Sequence, residues 1–201
     1  MIFIPSRKRR IALQRFFDTS LPIMTGKVLI DYDDESYEGM ILPEGWSFVK
    51  RPRQATSARL NEAFEQLKTE AFYAVVCDDM VASPFGWDVE LSKDAGSRNI
   101  AWGNDGRWGP NLCTSFFIGG DLARHLGWLA YPGLNHLYVD SVWWMIAKAA
   151  KLGRYRKDIR VTHINVKDQT YQERRVKGDH QTFQELRIET ISQLIRKASE
   201  L

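Results

Sequence analysis

Asp78 and Asp79 stand side by side just past the apolar run Phe72-Tyr73-Ala74-Val75-Val76-Cys77. Two like charges at one point repel unless a cation lies between them or one carries a proton. Hard carboxylate oxygens suit Mg²⁺ or Mn²⁺, ions that commonly bridge protein acids to substrate phosphates. A short apolar run of this kind after a helical pattern predicts a buried strand. In an open α/β sheet, ligands bind outside the carboxyl ends of the strands, which puts the pair at the mouth of a cleft. A plain strand-end turn, where Asp is common, is the competing reading. A second acid, Asp31, follows the apolar run at 27–30. One such acid can accept from a nucleobase N–H or a ribose hydroxyl while another holds a metal on a diphosphate. The basic cluster Arg7-Lys8-Arg9-Arg10 follows the first strand on the same side. One of its members can reach a phosphate, or the cluster is a solvated helix face.

The elements that must position these residues follow from the pattern. Residues 2–5 predict a first strand, with Ser6 capping a helix whose inner side carries Ile11, Phe16 and Phe17. Residues 27–30 and 46–49 predict two more strands. Thr56 or Ser57 opens a helix with Leu60, Ala63, Phe64, Leu67 and Ala71 on one face. The carboxylate-tipped strand follows, and this order predicts an α/β fold with a mostly parallel, doubly wound central sheet flanked by helices. Beyond it, residues 83–88 read as a turn, 103–110 as a glycine-rich loop flanked by Trp102 and Trp108, and 112–118 as a strand. Gly119-Gly120-Asp121 starts a short helix, and 131–136 form a loop. Asp140 heads a helix with Trp143, Ile146, Ala147 and Ala150 inward and Gly153 as its stop. Residues 159–163 give a last strand and 168–179 a charged loop. Thr182-Phe183-Gln184-Glu185 is a capping box for a closing helix.

Length and composition bound the answer. The 201 residues suit a single domain, 1–201, with a nucleotide-binding half at 1–80, a second half at 81–165 and a loop plus closing helix at 166–201. Net charge is +3, compatible with phosphorylated partners but too weak to demand nucleic acid. Seven Trp residues make aromatic stacking on flat ligands worth seeking in loops. The two cysteines, Cys77 and Cys113, sit in apolar runs without zinc spacing, and read as buried thiols of a reducing, cytoplasmic compartment. No apolar run is long enough to span a membrane.

Taken together, the order of these features resembles a compact GT-A glycosyltransferase of the broad family-two kind, which uses nucleotide sugars. The resemblance covers roughly residues 1–165. Pro5-Ser6-Arg7 is similar to the end of the family's opening strand, and Asp31 matches the acid that recognises the base. Arg59 and Asn61 resemble the family's Arg-Asn pair with one residue inserted. Cys77-Asp78-Asp79 stands at the Asp-x-Asp metal motif, with Cys77 in place of its first Asp. The resemblance implies that Asp78 contacts ribose or metal and that Asp79 binds Mn²⁺ or Mg²⁺ directly. It implies that Asp140 is the general base, that His163 is a third metal ligand, and that 116–128 closes over sugar and acceptor.

Each role has a plainer rival. Asp140 is also a good N-cap, and His163 a hydrogen-bonded surface histidine. His136 meets substrate or is solvated. Trp102 and Trp108 stack on sugar rings or pack a lid. Gly119 and Gly120 admit a diphosphate or only a tight turn. Arg174 and Arg175 clamp phosphate or are solvated. The expectation is a metal-dependent, inverting transferase taking a UDP-sugar. The acceptor is open: a soluble molecule, a glycan, or a hydroxylated base in nucleic acid of the sort phages modify. A nucleotidyltransferase would share the fold class and the acids but lacks here its glycine-rich loop after the first strand. A metal-dependent nuclease or a nucleic-acid-binding module would use the acids or the basic cluster without any nucleotide sugar.

Overall fold

Four hydrophobic residues at the very start, Ile2 to Pro5, form β1, an inner strand of one sheet. The computed structural model describes residues 1–164 and 178–201. Its other strands are β2 (Gly26–Asp31), β3 (Trp46–Arg51), β4 (Phe72–Val75), β5 (Met80–Ser83), β6 (Ile100–Asn104), β7 (Phe116–Gly119) and β8 (Gly153–His163). Among the described residues the eight strands lie in the order β3-β2-β1-β4-β7-β6-β8-β5. The pairs β1–β2, β1–β4, β2–β3 and β6–β8 are parallel. The pairs β4–β7, β6–β7 and β5–β8 are antiparallel. The expected mostly parallel α/β sheet is therefore present.

Side-chain alternation along the strands separates two cores. Ile2 and Ile4 of β1 face one side, where α1 (Arg10–Ser20) contributes Leu13, Phe16 and Phe17 and α3 (Trp87–Ala95) contributes Trp87 and Leu91. Phe3 faces the other side, with α2 (Thr56–Gln66), α4 (Gly120–Leu126) and α5 (Val139–Ala149). The chain closes on that side with α6 (Asp179–Glu185), a wide turn (Leu186–Thr190) and α7 (Ile191–Ser199). In α5, Val142, Trp143, Ile146 and Ala147 fall at helical spacing and are sealed from solvent. Each large apolar side chain buried in this way stabilises the fold by roughly 1.5–3 kcal/mol. The Trp143 indole N–H keeps a partner, donating to the Leu129 carbonyl at 2.7 Å.

Register decides which residues share an edge. Phe72 pairs with Gly119 and Val75 with Phe116, so β7 descends beside β4. β6 and β8 rise again, and Met80 of β5 pairs with His163. The carboxyl ends of β1, β2, β4, β6 and β8 thus emerge at one edge, together with the start of α5. Strand order reverses at β1, with β2 on one flank and β4 on the other, the arrangement that opens a ligand crevice in such sheets.

Several local expectations are corrected. Ser6 does not cap α1; that helix begins at Arg10 after Lys8 takes a left-handed turn at φ 53°. Ile11 points outward at 85% exposure, because the turn shifts the inner face to Ala12, Leu13, Phe16 and Phe17. Residues 83–88 are not only a turn, since Trp87 opens α3, and the strands β5 and β6 come unannounced. Both are short, and Gly103 leaves β6 without the β-branched signature of a strand. The strand expected over 112–118 starts only at Phe116, and Gly153 begins β8 rather than stopping a helix. The closing helix starts at Asp179, so Thr182 lies within its first turn and does not cap it. Arg174, Arg175 and most of the charged loop at 168–179 lie outside the described residues. Among the described residues, no helix is long and apolar enough to cross a membrane.

Candidate active site

At the crevice between β1 and β4, Pro5 ends its strand and hands the chain to Ser6, whose amide donates to the Leu29 carbonyl at 3.0 Å. The Ser6 hydroxyl then donates to Asp78 Oδ2 at 2.6 Å and lies 2.5 Å from the Tyr37 hydroxyl. Arg9 comes in beside it. Its Nη1 lies 3.1 Å from Asp78 Oδ1 and 2.8 Å from Asp79 Oδ2. Arg9, Asp78 and Asp79 are each less than a tenth exposed. The cation that two adjacent aspartates require is thus supplied here by the chain itself. Burial pushes the Asp78 carboxyl above its usual range, and Arg9 and Ser6 only partly counter it.

A second charge cluster lies at the end of β2. Asp31, 1% exposed, accepts from both Arg59 and Arg7. Arg59 also donates to the Leu29 carbonyl at 3.2 Å. Burial pulls the Arg59 guanidinium down, with Asp31 opposing. Arg7 reaches onward to Asp33 at 3.1 Å, and that hydrogen bond, with Asp31 adding to it, holds its guanidinium firmly charged. Asn61, the partner suggested for Arg59, does different work. Its side-chain oxygen accepts the Leu129 and Ala130 amides, both at 2.9 Å, and pins the segment leading to α5.

Across the crevice, the β5–β8 pairing brings His163 against the carboxylates. The Ile164 amide donates to the Asp79 carbonyl at 2.8 Å, which fixes the two segments together. Cys77, Asp79 and His163 each offer a ligand atom, and these three atoms lie within 4.8 Å of one another. Among the described residues His163 Nε2 is buried with no hydrogen-bond partner, an arrangement a metal would satisfy. The set of sulfur, oxygen and nitrogen donors therefore fits a divalent ion. Asp78, expected as a further ligand, is not in it; its two oxygens go to Ser6 and Arg9.

Asp140 sits in the first turn of α5 at the same edge. Its Oδ1 accepts from the Ser141 amide at 2.7 Å and the Ser141 hydroxyl at 3.3 Å. The N-cap position of this helix is Tyr138, and among the described residues no side chain caps it, so the reading of Asp140 as an N-cap is not what the structure shows. Burial raises the Asp140 carboxyl; the Ser141 donors and the nearby His163 pull it back only in part. Cys113 donates to the Asp140 carbonyl at 3.1 Å, tying the end of the 105–115 loop to the helix.

The remaining candidates divide. Trp108 is 47% exposed on that loop, with the Arg107 guanidinium over its ring at 5.3 Å. The loop is wound around Asp105, whose Oδ1 accepts the amides of Arg107, Trp108 and Gly109 at 2.8–3.0 Å. Trp102 is corrected to a core residue: it is 5% exposed, packs on Tyr155 and donates to the Gly109 carbonyl at 3.0 Å. Gly119 and Gly120 are corrected too. They lie at the opposite edge, where Gly119 pairs with the first residue of β4. A Cβ on Gly119 would come within 2.2 Å of the 97–98 backbone, and one on Gly120 within 2.2 Å of the Glu70 carbonyl. Close backbone packing, not a diphosphate, requires glycine there. His136 Nδ1 pairs with the Thr56 hydroxyl at 2.8 Å, at the start of α2.

Sequence reasoning passed over two residues. Cys77 stands in place of the first Asp of the metal motif and carried no ligand role in the sequence reading, yet the turn at 78–79 brings it beside Asp79. Asp179 was placed in a loop, and no local pattern marks it. It is fully buried and accepts the amides of Asn135, His136 and Leu137 at 2.8–2.9 Å, plus the Asn135 side chain at 2.9 Å. It thereby fixes the turn that delivers Asp140.

With this geometry in place, the chain can be set beside known structures. It superimposes on a mannosyltransferase from Pyrobaculum calidifontis, solved in complex with GDP-Man and Mn²⁺, with a TM-score of 0.60 over 99% of this chain and 72% of that one. The fold is that of a GT-A glycosyltransferase. Identity to the mannosyltransferase is only 10%, so the likeness is one of architecture. The catalytic domain of Drosophila beta1,4galactosyltransferase 7, in complex with xylobiose, aligns more loosely, with a TM-score of 0.44 at 12% identity over 83% of this chain and 65% of that one. No protein-family model and no curated protein matches the chain. The acid-bearing edge of this chain is the crevice edge of the sheet.

Proposed function

We propose that this chain is a metal-dependent glycosyltransferase that moves a sugar from a nucleotide-sugar donor to an acceptor hydroxyl with inversion. The observation that carries the reading is the meeting of Cys77, Asp79 and His163 within 4.8 Å at the crevice edge of a GT-A fold. A divalent ion such as Mn²⁺, held by those side chains, would offset charge developing on the departing diphosphate.

The chain's own residues account for the rest. Asp31, steered by Arg7 and Arg59, accepts from the base or ribose of the nucleotide. Ser6 holds Asp78 in place at the end of β4. Asp140 takes the proton of the acceptor hydroxyl as that oxygen bonds to the anomeric carbon. The bond from that carbon to the diphosphate oxygen breaks, and the nucleoside diphosphate leaves with the electron pair. A carboxyl raised by burial is a stronger base than an exposed one, which suits this role. Trp108, exposed at the rim, offers a flat face to a sugar ring. The donor is taken as a UDP-sugar on the family resemblance; the mannosyltransferase with GDP-Man supplies the alternative base.

Thermal-shift measurements with UDP, GDP and CMP, each with and without Mn²⁺, test this. Stabilisation by one nucleoside diphosphate only when the metal is present is expected, rising with ligand concentration as linkage requires. No response to any nucleotide, with or without metal, overturns the reading.

A further inference from the structure

The donor set identified above is unusual for an ion meant to sit on phosphates, and its chemistry makes a prediction of its own. Magnesium requires near-octahedral oxygen coordination and avoids sulfur. Of the three protein donors here only Asp79 offers oxygen; Cys77 offers sulfur and His163 nitrogen. Asp78, the oxygen donor nearest in sequence, lies outside the set, although Arg9 Nη1 reaches both acids, Asp78 Oδ1 at 3.1 Å and Asp79 Oδ2 at 2.8 Å. Among the described residues His163 Nε2 is buried and has no hydrogen-bond partner. The Cys77 thiol donates to the Thr114 carbonyl at 3.9 Å, and its sulfur lies at the end of β4 with the two aspartates.

We propose that Cys77 is a direct metal ligand, and that Cys77, Asp79 and His163 together select a thiophilic divalent ion of the zinc, cobalt or cadmium kind over magnesium. Three protein ligands of the Cys, His and carboxylate types with a position left for substrate is an arrangement zinc favours in catalytic sites. The register of β5 on β8 makes the set possible, because it brings His163 opposite Met80, next to Asp79. Thiolate coordination displaces the thiol proton to solvent, so binding is coupled to proton release. This inference rests on the metal-centre reading of the site, but it can fail separately from the choice of donor.

The test uses the full chain and Co²⁺ as a spectroscopic probe, titrated without nucleotide and again with UDP or GDP. A sulfur-to-cobalt charge-transfer band in the near ultraviolet is expected, lost in Cys77→Ser and kept in Cys113→Ser. In parallel thermal shifts, Zn²⁺ and Cd²⁺ should act at concentrations at least about tenfold below Mg²⁺, and Cys77→Asp should narrow that gap. If Cys77→Ser does not fold, Cys77→Asp gives the same loss of the sulfur band, and His163→Ala should weaken cobalt binding, with circular dichroism as the check on folding. Cobalt binding without a sulfur band, or no binding under either condition, overturns the proposal. A metal-dependent nucleotide response that persists in that case leaves the transferase reading standing. A sulfur band lost with Cys77, without any nucleotide response, supports the metal set and removes the transferase reading.

Discussion

Arg9 Nη1 stands 2.8 Å from Asp79 Oδ2, and both side chains are almost sealed from solvent. The same guanidinium nitrogen also reaches Asp78 Oδ1 at 3.1 Å. One cation from the first basic cluster therefore holds two acids that arrive some seventy residues later in the chain.

Removing Arg9 leaves buried carboxylates without that partner. Arg9→Ala is expected to lose about 3–5 kcal/mol of stability, the usual cost of breaking a buried pair from one side. A divalent ion should then restore more stability to the variant than it adds to the wild type. Urea unfolding with and without Zn²⁺ or Mn²⁺ measures both quantities, and equal metal increments would rule out the shared role.

Asp140→Asn keeps the shape and removes the base. Turnover should fall by ~10²–10⁴-fold, the range that a general base contributes. Binding of the nucleoside diphosphate should change little, because Asp140 is assigned to the acceptor. Calorimetric binding beside a sugar-transfer assay separates the two. Lost stability with activity intact would return Asp140 to a purely structural role.

Asp179 tests the positioning of Asp140 by pH. Burial alone would raise the Asp179 carboxyl; the amides of Leu137, Asn135 and His136 more than offset it, and the net shift is downward from 3.8. Its contribution is therefore fully present above the unfolded value and is lost as pH falls through the lower folded one. The wild type should lose stability in acid across that window. Asp179→Asn should be less stable at neutral pH and show a shallower acid decline. Thermal unfolding from neutral pH down to about pH 2 reads this directly.

Gly120→Ala separates packing from ligand binding. The new Cβ would meet the Glu70 carbonyl at 2.2 Å and the Ala71 carbonyl at 2.7 Å. Overpacking of this kind costs about 1–3 kcal/mol, more when the neighbour is backbone. Thermal unfolding should show that loss, while nucleotide affinity of the folded fraction stays at the wild-type value. Weakened nucleotide binding without lost stability would restore Gly120 to the donor site.

The elements with strong period were legible from composition. The strands β1, β2 and β4 are short runs of branched and aromatic residues, and α2 and α5 carry an apolar face at helical spacing. That order was enough to place Asp31, Asp78 and Asp79 at one edge, because parallel strands joined by helices all point the same way. His163 was assigned to that edge through the family resemblance, and the β5–β8 register sets it opposite Met80.

What the sequence could not decide is who meets whom across long separations. Gly119 and Gly120 looked like a phosphate loop because a glycine pair has the same local meaning at either edge; the antiparallel turn of β7 sent them to the far one. Trp102 looked available for stacking until the pairing of β6 with β7 and β8 buried it. The pairing of Arg9 with Asp78 and Asp79, the clamp of Asp179 on 135–137, and the meeting of Cys77 with His163 are all non-local. Local propensity fixes the backbone period of each segment, whereas charge pairing and metal ligation depend on distances that exist only once the sheet has closed its register.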